Sequence, residues 1–235
     1  MFDLKRIGAA SLAGALALGF ASAASAAIVS ASGPNSNLGA AAAIIGNPAH
    51  LLDDWVVNTG QQGFNERQGY VVQAGDGIFV DNDLGSGNPI AAGTRIDSHL
   101  IFFNTAGSTF GSHQGVEWTF SGNIVGVMAD GAGLLEQGST NILGATGTNY
   151  GNKALCDAAI GGNCGQPAAF NLRGLENNDS YGILGSVLTL NMTVTEPGDW
   201  VRVVTLSTIP LPLPALLLLG GIGGLGFVSR KRKAA

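Results

Sequence analysis

From residue 188 to 195 apolar and polar side chains alternate without a break, Leu188, Leu190, Met192 and Val194 interleaving with Thr189, Asn191, Thr193 and Thr195. Successive residues of a strand point to opposite faces of a sheet, so a period of two buries one face and leaves the other in water. The same pattern recurs where Val116, Trp118 and Phe120 oppose Glu117, Thr119 and Ser121, after which Gly122 and Asn123 turn the chain into 124–128. Pro197 and Gly198 turn 188–195 into a second β-rich run, 200–206, and the two runs read as a hairpin. Further strands are expected at 69–74, 77–80 and 100–103. Two windows, 40–45 and 51–57, are compatible with a short helix.

Glycine sets the punctuation. The chain has 37 glycines, far above the average share of about 7%, spread between short β-rich runs and without a Gly-X-Y period. Many strands with many turns imply an all-β domain, an antiparallel β-sandwich of jelly-roll-like type. The stretch 27–208 is long enough for one such domain with a substantial core. It is expected to be flanked by an N-terminal signal helix and a C-terminal transmembrane helix.

The N-terminal flank, 1–26, places Lys5 and Arg6 before an uncharged apolar run, with small residues after it. That is the layout of a secretory signal. Ala24 and Ala26 occupy the two positions at which signal peptidase requires small side chains, which puts the cut between Ala26 and Ala27. The C-terminal flank, 209–235, has three parts in order: a Pro-rich stretch containing Pro210, Pro212, Pro214 and Ala215, an apolar run to Val228, and the basic cluster Arg230, Lys231, Arg232 and Lys233. The run counts 18 residues from Leu211. Its proline-free part, 215–228, would be roughly 21 Å long as a helix at about 1.5 Å per residue, against a hydrocarbon core of about 30 Å. Such a segment holds a chain in the bilayer only marginally. The basic cluster stays cytoplasmic by the positive-inside rule, which places the domain outside, as the N-terminal signal also requires.

Residues 211–215, Leu-Pro-Leu-Pro-Ala, followed by an apolar run and a basic cluster, resemble the VPLPA variant of the PEP-CTERM sorting signals, with Leu211 where that pattern has Val. The resemblance implies a Gram-negative exported protein handed to an exosortase-type membrane transpeptidase after signal peptidase has acted. A Gram-positive sortase tail has the same layout but requires LPxTG, which is missing. FNERQG from Phe64, AAGTRIDSHLIFFN from Ala91, WTFSGNIVGVM from Trp118, RGLE from Arg173 and PGDWVRVVT from Pro197 are similar to a central domain that recurs in PEP-CTERM proteins. That domain carries no assigned activity, so the likeness implies a fold and a location and no mechanism.

Charge narrows the partners. Of 11 Lys and Arg and 16 Asp and Glu, the two flanks hold six and one, which leaves the domain five basic and fifteen acidic residues and a net charge of −10. Arg67, Arg95, Lys153, Arg173 and Arg202 are too few and scattered to track phosphates, so nucleic acid is not an expected partner. The membrane, through the tail, is one. Exopolysaccharide is a further partner that a surface location would allow.

Candidate chemistry is sparse, and no cofactor is expected. Any imidazole site must use His50, His99 or His113. In Asp97-Ser98-His99 the acid and the histidine share a strand face and Ser98 does not, which fits a packed strand histidine better than a triad. No G-x-S-x-G elbow occurs. Asp76, Asp81 and Asp83 crowd a glycine-rich loop with Asn82 and Asn88, hard oxygen ligands of the kind calcium takes, but the spacing departs from an EF-hand and Asx-turn chemistry explains the same letters. Gly221, Gly223 and Gly226 match a dinucleotide fingerprint inside the apolar tail, with no βαβ unit to give it meaning. The expectation is therefore a non-enzymatic surface or matrix protein. The alternative is a secreted carbohydrate-binding module or hydrolase that uses the acidic loops with Trp55, Trp118 and Trp200.

Cys156 and Cys164, the two cysteines of an exported chain, are expected to form a disulfide, worth about 2.5 kcal/mol in the chain-entropy model. The exported protein should therefore begin at Ala27 and carry no free thiol. N-terminal sequencing and intact mass after alkylation check both; a start at Met1, or two alkylated cysteines without reduction, contradicts them.

Overall fold

A computed structural model describes residues 27–52, 55–81, 87–151 and 173–208. The expectations for Ala26, Cys156, Cys164, Pro210, Pro212, Pro214, Ala215 and the basic cluster Arg230, Lys231, Arg232 and Lys233 fall outside them. The described chain is mostly β-sheet with one short helix, as an all-β reading requires. Among the described residues no helix is long and apolar enough to cross a membrane.

Among the described residues twelve strands form two sheets. The smaller contains β1 (Ile28–Ser32), β8 (Gly111–Phe120), β11 (Val187–Val194) and β10 (Ser180–Leu184), in that order across the sheet. The larger runs β2 (Ala43–Ile44), β3 (Gln62–Asn65), β7 (Arg95–Phe103), β12 (Asp199–Leu206), β9 (Ile124–Met128), β5 (Phe79–Asp81) and β6 (Gly87–Pro89), with β4 (Tyr70–Val71) also paired to β7. β2 and β3 pair in parallel, and the other pairings are antiparallel.

The hairpin expected across Pro197 and Gly198 does not form. β11 pairs with β8 in the smaller sheet, while β12 pairs with β7 and β9 in the larger. Burial explains the separation. β11 alternates between buried and half-exposed residues, as a strand with one wet face must, whereas β12 is buried from Asp199 to Thr205 on both faces. A strand covered on both sides belongs at the centre of a covered sheet, so the chain crosses over at Pro197. Gly198 makes that corner possible: its φ is +82°, and a Cβ there would lie 2.6 Å from Asn104 Oδ1.

Between the sheets, Trp118, Leu188, Leu190 and Met192 of the smaller pack with Ile101, Phe103, Val201 and Val203 of the larger in one buried cluster. Trp118 lies flat against Gly63, where an added Cβ would meet its ring at 2.7 Å. Its Nε1–H donates to Gln61 Oε1 at 2.9 Å, and the Gln61 amide donates to His113 O at 2.9 Å. The Gln61 main-chain N–H donates to His113 Nδ1, leaving Nε2–H for Pro34 O. His99 is a buried strand histidine, as expected, but its partners are Asn65 and Thr205 and not a carboxylate.

The 40–45 window holds strand β2 in place of a helix, and at 55–56 the main chain makes a turn back to Leu52. The helix that does form, α1 (Leu134–Leu143), contains Gly138, Ser139, Thr140 and Asn141, all weak helix formers. Tertiary contacts hold it. Asp130 accepts from the Leu134 and Leu135 N–H groups at 2.8 and 3.0 Å, capping the first turn. Arg202, projecting from β12, holds the body of the helix. Its Nε and one Nη bond the two oxygens of Glu66 at 2.7 and 2.9 Å, and the remaining donors reach Glu136 O, Ser139 Oγ and Thr140 Oγ1. All five guanidinium N–H groups are thus used. Glu66 also accepts from Ser98 Oγ at 2.6 Å and Tyr150 Oη at 2.7 Å. Both ends of the domain arrive at the β8–β9 turn, where the Ala27 N–H donates to Ser121 Oγ and the Leu206 N–H to Asn123 O.

Arg202→Met leaves a buried carboxylate without its partner and should cost about 3–5 kcal/mol. Glu66→Leu with Arg202→Met should cost clearly less than the sum of the single changes, since the pair is removed together. Urea midpoints of the three variants check this; additive losses would contradict it.

Candidate functional site

Sequence reasoning pointed to three places, and each resolves into structure. Asp76 Oδ2 accepts from Tyr70 Oη and from the Gln73 N–H, both at 2.7 Å, closing a local turn. Asp81 is buried and accepts from the Ala129 N–H at 2.9 Å. Asp83 lies outside the described residues. In Asp97-Ser98-His99 the three side chains go to three different partners: Asp97 to the Gly69 N–H, Ser98 to Glu66, and His99 to Asn65 and Thr205. Burial pushes the His99 imidazole down to about 3, so it stays neutral where a general base would have to titrate. Trp118 and Trp200 are buried. Trp55 is half exposed beside the tilted ring of His50, with centroids 5.1 Å apart.

A pair of perturbed carboxyls beside a cavity was not among them. A cavity of about 210 Å³ opens between the turn 176–179 and the corner 193–199. Its lining includes Glu176, Asp179, Glu196 and Asp199, with Thr193 and Thr195 beside them. The turn is rigidly set. Leu175 is buried in the core between the sheets and donates its N–H to Ala129 O. A Cβ on Gly174 would run into Asp130 O at 1.9 Å, so the chain here lies directly on its neighbour. Asp179 then holds the turn to the corner: one oxygen accepts from the Glu176 N–H at 3.1 Å and the other from the Thr193 N–H at 2.6 Å.

Asp199 faces Asp179 from the first position of β12. It is only 7% exposed, and its carboxyl hydrogen-bonds the Asp179 carboxyl. Burial, then the neighbouring Asp179 and Glu176 carboxyls, push its carboxyl up to about 9, against a weaker pull from Arg173. Burial also raises Asp179, although the Glu176 and Thr193 N–H groups work the other way. Two carboxyls in contact cannot both ionise without help, so near neutral pH they hold a proton between them. The Arg173 guanidinium lies over the Trp200 ring at 4.5 Å.

No family model, no curated protein and no solved structure matches this chain. The site therefore rests on its own chemistry. Among the described residues no three His, Cys, Asp or Glu side chains converge into a ready-made metal cage. What the cavity presents is a carboxyl fixed by two main-chain N–H groups, a second, largely buried carboxyl beside it, and an oxygen-rich rim. Asp179 and Asp199 are twenty positions apart, and only the crossover at Pro197 brings them together. The local signal was limited to Asn and Asp letters at 177–179 and a Pro-Gly-Asp corner, which read equally well as turn chemistry.

The sign of the pH dependence follows from the raised Asp199. A carboxyl protonated in the folded state up to about 9, but ionising near 3.9 when unfolded, gives its full stabilisation at low pH and loses it as pH rises between those values. Asp199→Asn should therefore gain stability relative to the parent at pH 8 and lose that advantage toward pH 4. Thermal melts across that range check it, and an offset independent of pH would contradict it.

Proposed function

We propose that this chain is a non-enzymatic protein of the cell envelope, exposed at the surface or in the extracellular matrix. Signal peptidase frees its N-terminus between Ala26 and Ala27, and an exosortase-type transpeptidase processes its tail. The observation that carries this reading is the order of the tail: Pro210, Pro212, Pro214 and Ala215, then an apolar run of marginal length, then Arg230, Lys231, Arg232 and Lys233. The domain between the flanks supports a binding or structural role. His99 and His113 serve as packing and hydrogen-bonding groups within the domain, and Trp118 and Trp200 are core residues. We read the two sheets as a jelly-roll-like sandwich, supported by the nesting of the β8–β11 pair in one sheet inside the β7–β12 pair in the other.

The rival reading, a carbohydrate-binding module or hydrolase, is favoured by one feature, the protonated carboxyl pair of the acidic cavity, since such pairs serve acid–base hydrolysis. Against it, both oxygens of Asp179 are already held by main-chain N–H groups, and the cavity lining has no aromatic face for a sugar ring.

Two tail variants separate sorting from simple anchoring. Neutralising Arg230, Lys231, Arg232 and Lys233 together should let more of the chain slip through the membrane uncut, because nothing then resists translocation. Replacing Pro210, Pro212 and Pro214 should leave the chain held in the membrane and uncleaved, since the extended stretch is what a processing enzyme recognises. Fractionation and mass measurement in cells with and without the sorting enzyme distinguish the two, and normal processing of both variants would overturn the reading.

A further inference from the structure

The chain holds two Asn-x-Ser/Thr triplets, Asn178-Asp179-Ser180 and Asn191-Met192-Thr193, the acceptor sequence for N-linked glycosylation of exported proteins. A triplet alone recurs by chance, so the structure has to say which asparagine is free to react. Asn191 is not. In the middle of β11 its Oδ1 accepts from the Gly115 N–H at 2.6 Å and its Nδ2 donates to Ser180 Oγ at 2.9 Å, while Thr193 Oγ1 accepts from Gln114. Asn178 is exposed at the tip of a β-turn that the Asp179 N–H closes on Glu176 O at 2.8 Å. Turn chemistry accounts for its neighbours: Asn177 takes the left-handed conformation, with φ +50°, and Asp179 holds the Glu176 and Thr193 N–H groups. The turn makes no demand on the Asn178 amide, which no hydrogen bond ties down among the described residues.

We propose that Asn178 is an N-glycosylation site, modified on the folded domain by an oligosaccharyltransferase of the envelope with a polyprenyl-diphosphate-linked oligosaccharide as donor. This rests on the export reading, because acceptor and donor meet only on the outer side of the inner membrane. The Asn178 Nδ2 attacks C1 of the sugar at the donor's reducing end. The N–C1 bond forms as the C1–O bond to the diphosphate breaks, the diphosphate leaves with that electron pair, and the proton lost from Nδ2 passes through a base of the transferase to solvent. Nothing is oxidised or reduced.

The residues around Asn178 fit the acceptor role. Ser180 Oγ accepts from Asn191, which leaves its own O–H to donate at the position where the motif requires a hydroxyl. The residue between acceptor and hydroxyl is Asp179, where only proline is forbidden. Glu176, partly exposed and two residues before Asn178, supplies the acid that bacterial enzymes of this class read there; Asn191 has Thr189 in that place. The Asn178 side chain already stands in solvent, so a bulky glycan displaces nothing, whereas one on Asn191 would break the bonds to Gly115 and Ser180.

The test uses the protein purified from the producing cells, with intact mass and mass spectrometry of its proteolytic peptides as readouts. The peptide holding Asn178 should carry one oligosaccharide on that residue, and the peptide holding Asn191 none. Asn178→Gln should remove the added mass completely, and Ser180→Ala should remove it with Asn178 still in place. Glu176→Gln should lower occupancy at least tenfold. The circular dichroism of Asn178→Gln should match the parent's, which shows that it folds. A bare Asn178 in the exported protein, an added mass that survives Asn178→Gln, or a glycan on Asn191 overturns the proposal. The N-terminus and tail of the same preparation separate the readings. A chain that starts at Ala27 with Asn178 bare sinks the glycan alone, a glycosylated chain whose tail is never processed sinks the sorting reading alone, and a chain kept in the cytoplasm from Met1 sinks both.

Discussion

The guanidinium of Arg202 lies at the middle of the larger sheet, on the face turned away from the smaller one, and the elements covering that face are fastened to it. Through Glu66 it ties β12 to the segment that follows β3, and through Tyr150 to the loop after the helix. Through Glu136 O, Ser139 and Thr140 it holds a helix whose own composition would not sustain it. The Tyr150 hydroxyl passes the connection on by accepting from the Ala145 N–H. Such a network favours one arrangement only when every donor is matched, because a buried guanidinium with a missing partner is far worse than an apolar side chain. The clusters around Phe102 and Met128 lie on the same face, so the charge sits between two apolar patches and fixes their register.

The one group left over is the Glu136 carboxyl. Both of its oxygens are buried without a donor, and burial first, then the neighbouring Asp130, hold it well above the usual carboxylate range. Arg202 takes only the main-chain oxygen of Glu136 and keeps its paired carboxylate contacts for Glu66. The same burial acts on Asp199, whose carboxyl lies beside Asp179 in the lining of the acidic cavity.

Alternation made the strands legible. Leu188 to Val194 and Val116 to Phe120 fall on the core face as their spacing requires, because a strand with one wet face writes its orientation into the residue order. Partnership was not legible at the Pro197 corner. A turn sequence says that the chain reverses and leaves open whether it returns in the same sheet; that depended on the double-sided burial of 199–205, visible in the letters only as a run rich in Val and Trp. The helix was hidden because Gly138, Ser139 and Thr140 argue against it, and the contacts that overrule them come from a residue more than sixty positions away. The acidic cavity was hidden for a related reason: its two carboxyls belong to a turn and a strand that look ordinary apart.

The meeting of the domain's two ends at Ser121 and Asn123 has a geometric consequence. Whatever precedes Ala27 and whatever follows Leu206 is attached at one corner, so cutting either flank leaves the sheets undisturbed and the other attachment in place. Strand β12 leads from that corner to Asp199, seven residues away, or about 23 Å at roughly 3.3 Å per residue. The acidic cavity thus lies a full strand length from the corner at which both flanks join the sheets.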